Sequence, residues 1–346
     1  MKKAVTIRDV AALAGVSVGT VSMVLNNSRK VSAHTREIVL SAIAKLGYVR
    51  NPFARSFSLS RSNTIGFVVT DLTNPFFGMM AGYLHREADQ RDHRLVLGVT
   101  DNTIRQERSV IESLADGGVD GFLIVPAQRR EPDLTHIYNL SASGKPTVFI
   151  SSHYTGIRQN CVMTDLTKGS YDMATHLLQS GHRDIAFISG LRGPVLSEMR
   201  IEGFLRAFRD MGVAVSQDQI IEADPVFDGG YKAAKHILSD RRPDAIMAVN
   251  DLLCLGVLSY LRENGIRVPD DISVAGYDDL IYSSMLETPL TTVRQPIKRM
   301  CAEAVSLLFD LIDGGAPTQE PILLEPKIIV RSSTRVKEAI SEGPLN

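Results

Sequence analysis

Residues 6–26 read TIRDVAALAGVSVGTVSMVLN, which is two short helix patterns separated by a tight turn. Thr6 predicts the cap of the first helix, and Asp9 completes a start that resembles a capping box. The apolar face of this helix is formed by Ile7, Val10, Ala11 and Ala14. Gly15 supplies the backbone freedom for a sharp helix exit, and Ser17 is placed to cap a second helix. The buried side of that helix is formed by Val21, Val24 and Leu25. This arrangement predicts a helix-turn-helix, whose second helix can enter the major groove of DNA.

A third helix pattern follows, and the segment after it has the composition of a linker. Ser32 predicts the start of this helix and Gly47 its end. Its apolar stripe is formed by Ile38, Val39, Ala42, Ile43 and Leu46. Pro52 is well placed in the first turn of a further short helix, which would be marginal on its own. We therefore expect a DNA-binding domain over 1–50 and, over 51–61, a hinge helix and linker that DNA or a second copy of the chain would order.

Charge is distributed unevenly along the chain. Residues 1–61 contain ten Lys and Arg against two acidic residues, a net charge of +8, whereas residues 62–346 carry −9 and the whole chain −1. Cationic side chains concentrated on one small module are expected of a protein that neutralises phosphates. A solvated charged surface is the alternative, but the helix-turn-helix pattern in the same segment favours DNA.

From residue 62 onwards, compact apolar runs alternate with amphipathic helix patterns. The predicted strands are Thr64–Thr70, Leu95–Val99, Phe122–Val125, Thr147–Ile150, Ile185–Ser189, Ala245–Val249, Ile272–Gly276 and Ile328–Val330. The predicted helices are about Phe76–Gln90, Ile104–Asp116, Lys168–Ser180, Glu198–Met211, Tyr231–Ser239, Asp251–Asn264 and Ile297–Asp313. Such alternation indicates parallel sheets covered on both faces, and this number of units fits two doubly wound subdomains better than one sheet. Ligands of these folds bind outside the carboxyl ends of the strands.

Several function classes lack their sequence signals. No apolar run approaches the ~18 residues of a membrane span, and the amino terminus has no apolar signal-peptide core, so we expect a cytoplasmic protein without a membrane partner. Cys161, Cys254 and Cys301 suit a reducing compartment and lack metal-ligand spacing. The chain contains no P-loop, no GxGxxG opening a helix, no GxSxG and no HExxH. We therefore expect neither an enzyme nor a cofactor.

The ordered set of motifs resembles the LacI/GalR family of bacterial transcription regulators. The resemblance rests on TIRDVAALAGVSVGTVSMVLNN, VSAHTREIVLSAIAKLGYVRNPFARS, IGFVVTDLTNPFF, GVDGFLIVP, SGHRDIAFISG, RIEGFLRAF, GYKAA, PDAIMAVND, RVPDDISVAGYDD and TPLTTVRQP. It implies an all-α helix-turn-helix head, a hinge helix in the minor groove, and an α/β periplasmic-binding-protein-like core of two doubly wound parallel-sheet subdomains. It also implies a homodimer on a pseudo-palindromic double-stranded DNA operator, with a small-molecule effector between the subdomains. Three crossovers would divide the core into about 62–161 plus 293–320 and about 162–292 plus 321–337, followed by a tail over 338–346.

By position, the resemblance assigns residues that would contact the operator. Val18, Gly19 and Met23 match base-reading positions and share one helical face with Ser22. Val can touch a thymine methyl, but neither Val nor Met can make bidentate hydrogen bonds to a base. Packing within the head is the alternative for both residues. The positions that match phosphate contacts are Thr6, Ser22, Asn26, Ser32 and Thr35. Ser17 and Thr20 complete the predicted DNA-binding set of the head.

The hinge supplies three further predicted DNA contacts. Arg55 falls within the family's hinge, and Ala54 and Phe57 match its minor-groove pair. Where relatives insert a Leu wedge, Phe57 is an accepted wedge type. We hypothesise that Phe57 unstacks the central base step, with packing between paired hinge helices as the alternative.

The resemblance also assigns an effector site. Arg200, Asn250 and Asp278 match ligand-binding positions, and Phe76 matches an aromatic platform over the ligand. A guanidinium, an amide and a carboxylate suit the adjacent hydroxyls of a sugar. The alternatives are an Arg200–Asp278 structural ion pair and a Phe76 that belongs to the core.

Three positions depart from the family's ligand pattern. Ser151 stands where many sugar-responsive relatives have Asp, and Pro194 and Leu196 replace polar contacts of the purine-responsive relative. These departures leave a less polar, a modified and a phosphorylated ligand open, with a sugar or sugar derivative as the expected class.

The resemblance implies a repressor, with an effector-dependent activator or a corepressor-requiring regulator as alternatives. A solute-binding protein is the distant alternative, since it would share the core but need a secretion signal and lack the basic head. We expect effector binding to shift the subdomains, disorder the hinge helix and weaken operator affinity by ~1–3 kcal/mol.

Overall fold

The computed structural model describes residues 5–25, 30–48, 62–129, 133–157 and 160–335. The chain divides into two compact units, Met1–Ser62 and Asn63–Asn346. The predicted hinge over 51–61 and tail over 338–346 lie outside the described residues. The same is true of four predicted DNA contacts, which are Asn26, Ala54, Arg55 and Phe57.

The described part of the first unit contains the helices α1 Ile7–Ala14, α2 Val18–Leu25 and α3 Ala33–Leu46. Each helix begins directly after the residue predicted to cap it, namely Thr6, Ser17 or Ser32. The backbone N–H and the hydroxyl of Thr6 both donate to the Asp9 carboxylate, at 2.7 Å each. Ser17 Oγ and Ser32 Oγ each accept the backbone N–H of the residue three positions on, at 3.0 and 3.2 Å. These bonds satisfy amide groups that a helix leaves without an internal partner.

A small core holds the three helices together. Its buried members are Val10, Ala11, Ala14, Val21, Val24, Val39 and Ala42. Ile38 was assigned to the same stripe by the sequence pattern, and this is wrong, because its side chain is 39% exposed. At about 100° per residue, Val39, Ala42, Ile43 and Leu46 fall within an arc of about 100° around the helix, and Ile38 lies about 40° outside this arc.

The second unit begins with a six-stranded sheet and its helices. The strands are β1 Thr64–Val69, β2 Arg94–Val99, β3 Gly121–Ile124, β4 Thr147–Ile150, β5 Cys161–Thr164 and β11 Ile322–Leu324. The helices are α4 Pro75–Asp89, α5 Ile104–Asp116, α6 Thr135–Ala142 and α11 Ile297–Ile312. All strand pairs are parallel, in the order β11-β5-β4-β3-β1-β2. Successive β1 side chains point to opposite faces, so Phe67 joins the core with α4 and α11 while Val68 joins the core with α5 and α6.

A second sheet follows, with its own helices. The strands are β6 Ile185–Ile188, β7 Ile220–Ile221, β8 Ala245–Ala248 and β9 Ser273–Ala275. The helices are α7 Leu166–Gln179, α8 Val195–Asp210, α9 Phe227–Asp240 and α10 Asp251–Glu263, with short 3-10 helices at Gln217–Gln219 and Ile281–Ser284. These strands are also parallel, in the order β7-β6-β8-β9. The two sheets confirm the predicted pair of doubly wound subdomains.

Short strands correct the predicted subdomain bounds. β5 and β11 pair with each other in the six-stranded sheet, with Val162 opposite Ile322, so residues 162–164 and 322–324 do not belong to the second subdomain. β12 Lys327–Ile329 pairs with β10 Thr292–Arg294 in an antiparallel ribbon, whereas the pattern placed Ile328–Val330 among parallel strands. The pattern does not predict β5, β7, β10 and β11, because runs of two to four residues carry little periodic signal, and it does not predict α6 either.

None of the described helices is by itself both long and apolar enough to cross a bilayer; α1 and α2 meet the length and composition criteria only as a pair, with a 104° bend between them.

Candidate functional site

A cavity of about 320 Å³ lies between the carboxyl ends of the two sheets. Its wall includes Thr70 and Ser151, which follow β1 and β4, and Gly190 and Val249, which follow β6 and β8. Crevices outside the carboxyl ends of parallel strands are where ligands of open α/β sheets bind. All four predicted effector residues line this cavity, namely Phe76, Arg200, Asn250 and Asp278.

Arg200 is a buried cation at this cavity. It lies on α8, is 7% exposed, and its guanidinium carbon stands 4.4 Å from the centre of the Tyr277 ring. Its Nη2 is 4.0 Å from Asp278 Oδ1, which is too far for a hydrogen bond. Its Nε is buried and has no hydrogen-bond partner in the described part of the chain. A buried donor left unsatisfied costs about 1–3 kcal/mol, so this geometry suits a ligand better than a closed structural pair.

Asp278 faces Arg200 from the loop after β9. Its backbone has φ 109°, in the left-handed region that costs an L-residue about 1–3 kcal/mol. Its N–H donates to the Val293 carbonyl at 2.8 Å, and its Oδ1 accepts from Gln295 Nε2 at 2.7 Å. Burial raises the pKa of Asp278 to about 7, with Arg200 acting in the opposite direction and Asp251 in the same one. The carboxyl group is therefore held in place and close to its titration point at neutral pH.

Asn250 caps α10 at the edge of the cavity. Its Oδ1 accepts the Leu253 N–H at 2.8 Å, and its Nδ2 donates to the Pro225 carbonyl at 2.9 Å. An amide side chain has two N–H hydrogens and two oxygen lone pairs, so one of each remains for a ligand. Asn250 thus also fixes the wall around Pro225.

Asp251, which follows Asn250 in the sequence, does not line the cavity. It is 1% exposed and accepts hydrogen bonds from the Leu280 N–H, the Ser283 hydroxyl and the Thr292 hydroxyl at 2.6–2.8 Å. Burial raises the pKa of Asp251 to about 6, although these hydrogen bonds act to lower it. Its carboxylate ties the segment after β9 to β10 and so supports Asp278.

Phe76 belongs to the core and also lines the cavity, while its role as a platform over a ligand stays a prediction. Its side chain is 4% exposed and belongs to the core cluster of α4, and it also lines the cavity. The Phe76 N–H donates to Asn74 Oδ1 at 3.0 Å, and the Phe77 ring lies 5.3 Å away at 81°. The local helix start therefore fixes an aromatic wall.

Gln295 is a lining residue that no sequence signal identified. Its Oε1 accepts the Thr164 hydroxyl and its Nε2 donates to Asp278, at 2.7 Å each. It follows the three-residue strand β10, which has no periodic pattern of its own. Asp224 also lines the cavity, from the loop after β7.

The second helix of the head presents the predicted base-reading face to solvent. Val18 is 41% and Met23 38% exposed, whereas Val21 and Val24 are buried in the core of the head. Gly19 is exposed as well. The packing alternative for Val18 and Met23 therefore does not describe this head.

Asp278→Asn is expected to change how the free energy of unfolding depends on pH. Because the pKa of Asp278 is about 7 in the folded chain against an ordinary 3.8, the group is ionised only in the unfolded chain between about pH 4 and 7. In that window it lowers the free energy of unfolding by up to about 1.4 kcal/mol for each pH unit as the pH rises. The variant lacks this slope. Urea unfolding between about pH 4.5 and about pH 7.5 measures how the free energy of unfolding depends on pH. The exposed Asp116→Asn serves as the control, and parallel curves for wild type and Asp278→Asn would contradict the assignment.

The chain is similar to known regulators over nearly its whole length. The family described as "Bacterial regulatory proteins, lacI family" matches residues 6–51, and a periplasmic binding protein-like domain matches residues 174–334. The HTH-type transcriptional repressor PurR of Pasteurella multocida (strain Pm70) is 32% identical over 331 residues, which cover 95% of this chain and 98% of PurR.

Two solved structures share the fold. The Lac repressor dimer bound to operator and the anti-inducer ONPF has a TM-score of 0.84 at 28% identity, covering 96% of this chain and all of that one. The complex of the transcriptional regulator CelR with cellobiose has a TM-score of 0.73 at 32% identity, covering 95% and 99%. With a helix-turn-helix head, two parallel-sheet subdomains and relatives aligned from end to end, the chain belongs to the LacI family of bacterial regulatory proteins.

Proposed function

We propose that the protein is a transcriptional repressor that binds a pseudo-palindromic operator as a homodimer and responds to a sugar or sugar derivative in the cavity between its subdomains. The observation that carries the proposal is the Arg200–Asp278 arrangement, a buried cation with an unpartnered Nε facing a strained, buried carboxyl group. Such strain and unsatisfied polarity cluster at ligand sites.

The lining supports a sugar. Arg200 offers donors and Asp278 an acceptor, and this combination fits adjacent hydroxyl groups. Phe76 and Leu196 add apolar surface, which suits the apolar face of a sugar ring. CelR, which shares the fold, binds cellobiose in its solved complex. If a purine displaced sugars from the cavity, the proposed sugar effector would be contradicted, but the proposed repressor function would not.

The head supports DNA binding. Val18 and Met23 are exposed together on α2, where methyl contacts to thymine are within their chemistry, and Gly19 permits close backbone approach. Hydroxyl side chains at the helix starts and, for Ser22, in the middle of α2 fit phosphate contacts, which fix register. They are Thr6, Ser17, Thr20, Ser22, Ser32 and Thr35. Asn26, Ala54, Arg55 and Phe57 remain predicted contacts. A protein that binds the chromosome in this way would act in the cytoplasm.

Exposed apolar side chains support a homodimer. β2 is an edge strand of the six-stranded sheet, and Val96, Leu97 and Val99 on it are 36–44% exposed. A second exposed group lies on and after the 3-10 helix of the other subdomain, where Tyr282 is 48% and Met285 69% exposed. Apolar edges of this kind are covered in native proteins, and a two-fold partner covers the same patch on both copies.

Selection of duplexes from a random library is expected to return two inverted half-sites. Val18→Gln and Met23→Gln should change the preferred bases within each half-site, since Gln adds a bidentate contact to adenine, with effects of about fivefold to 150-fold for about 1–3 kcal/mol per base pair. Leu13→Gln is the matched control, because Leu13 is 47% exposed on α1, a helix without a predicted base-reading position. Enrichment of no site, or identical sites for all four proteins, would contradict the proposed operator contacts.

A further inference from the structure

A second cavity adjoins the effector cavity. It has a volume of about 540 Å³ and lies between the loops after β3 and β4 on one side and residues 192–195 on the other. Gln128, Arg129 and Pro194 line both cavities, so the two adjoin at these residues. We call the first the inner cavity and the second the outer cavity.

The two cavities differ in charge. The inner cavity is lined by three acidic residues, Asp71, Asp224 and Asp278, and by the cation Arg200, in addition to the shared Arg129. The described residues of the outer cavity include Arg129, Arg192 and His153 and no acidic side chain. Arg192 Nε lies 3.2 Å from Glu198 Oε1, whereas Arg129 forms no ion pair within the described part of the chain. Arg is the side chain that best matches a carboxylate or phosphate group.

Buried hydrogen bonds hold the shared wall in one conformation. The Ala127 N–H donates to Glu107 Oε2 at 2.8 Å, and Glu107, which is fully buried, also accepts from the Tyr154 hydroxyl at 2.7 Å. Arg129 Nε donates to the Asn102 carbonyl at 2.7 Å. This bond anchors the guanidinium at one nitrogen and leaves its two terminal NH₂ groups for a ligand. A recognition group placed in this way before binding loses little entropy when the ligand arrives.

We propose that the effector is an elongated anionic saccharide, with a sugar ring in the inner cavity and a carboxylate or phosphate group in the outer cavity beside Arg129 and Arg192. The inference rests on the proposed sugar response and narrows it to a ligand that occupies both cavities. In the inner cavity three acidic residues outnumber the cation Arg200, whereas the described lining of the outer cavity contains arginines and no acidic side chain, so an anionic group is favoured in the outer cavity. Together the volumes are within the range of about 300–1,000 Å³ that small-molecule sites occupy.

Calorimetric titration of the full-length protein with matched saccharides tests the proposal. The probes are maltose, cellobiose and trehalose, each compared with its 6′-phosphate and with the acid oxidised at C6′. We expect at least one anionic form to bind tenfold or more tightly than its neutral parent. Whether the phosphate or the carboxylate form of that saccharide binds more tightly then identifies the anionic group. Arg129→Gln should abolish this preference, whereas the exposed Arg105→Gln should preserve it.

The inference is overturned if the neutral parents bind as tightly as their anionic forms, if Arg129→Gln preserves the preference, or if no probe binds. Operator binding by the same preparations separates the two proposals. If a neutral sugar releases a selected operator, the anionic effector is contradicted and the proposed sugar-responsive repressor stands. If no operator is selected and no saccharide binds, both proposals are contradicted.

Discussion

Gly256→Ala is expected to lower the free energy of unfolding by about 3 kcal/mol or more. A Cβ at residue 256 on α10 would lie 2.0 Å from the Phe227 carbonyl oxygen and 2.6 Å from the Tyr231 nitrogen, both in the backbone of α9. The contact is reciprocal, because a Cβ at Gly230 of α9 would lie 2.0 Å from the Leu253 carbonyl oxygen. Backbone atoms inside a helix cannot rotate away as a side chain can, so α9 and α10 would have to separate.

Gly78→Ala is the matched control for this prediction. Gly78 also lies within a helix, α4, but a Cβ there would meet no atom within 4 Å. Removing a glycine from an open helical position should raise the free energy of unfolding by about 0.5–1 kcal/mol. Urea unfolding followed by circular dichroism measures both variants. Equal effects at the two positions would show that helix propensity, and not the close approach of α9 to α10, determines the result.

These glycines explain why two sequence motifs have the form they do. RIEGF contains Gly203 and GYKAA begins at Gly230. A Cβ at Gly203 would lie 2.2 Å from the Thr167 carbonyl oxygen of α7, so this glycine sets the approach of α7 to α8 as Gly230 sets that of α9 to α10. The sequence identified both motifs by resemblance alone, since close approach between helices depends on which helices meet and not on local periodicity.

The candidate site was predictable where it follows the strand pattern. Arg200, Asn250 and Asp278 come after apolar runs, and parallel strands bring such positions to one edge. Gln295 was not predictable, because it follows a three-residue strand that has no periodic pattern. The outer cavity was not predictable either, because Arg129 and Arg192 belong to different subdomains and line one cavity only in the folded chain. The left-handed backbone of Asp278 is likewise a tertiary property, imposed by the hydrogen bond of its N–H to Val293.

Leu97→Lys is expected to convert the proposed homodimer to a monomer and to weaken binding to a selected palindromic operator by about a hundredfold or more. Each copy would read one half-site, so linking two heads makes the second contact effectively intramolecular, and affinity gains of about 10²–10⁴ follow from that alone. Leu97 is 44% exposed on the edge strand β2 and is absent from the core clusters of the second unit, so its replacement should leave stability within about 0.5 kcal/mol. Sedimentation equilibrium gives the oligomeric state, and mobility shift gives the operator affinity.

The opposite edge of the same sheet provides the control. Leu323 lies on β11, the other edge strand, and is 49% exposed, so Leu323→Lys introduces the same charge at a similar exposure. It should remain dimeric and bind the operator normally, because a two-fold interface uses one patch twice and leaves the far edge free. Tyr282→Lys tests whether the second exposed group, in the other subdomain, contributes to the same interface. If Leu323→Lys dissociates the dimer and Leu97→Lys does not, the interface lies at the β11 edge. If neither dissociates it, pairing occurs away from both edges, and the apolar side chains of β2 need another explanation.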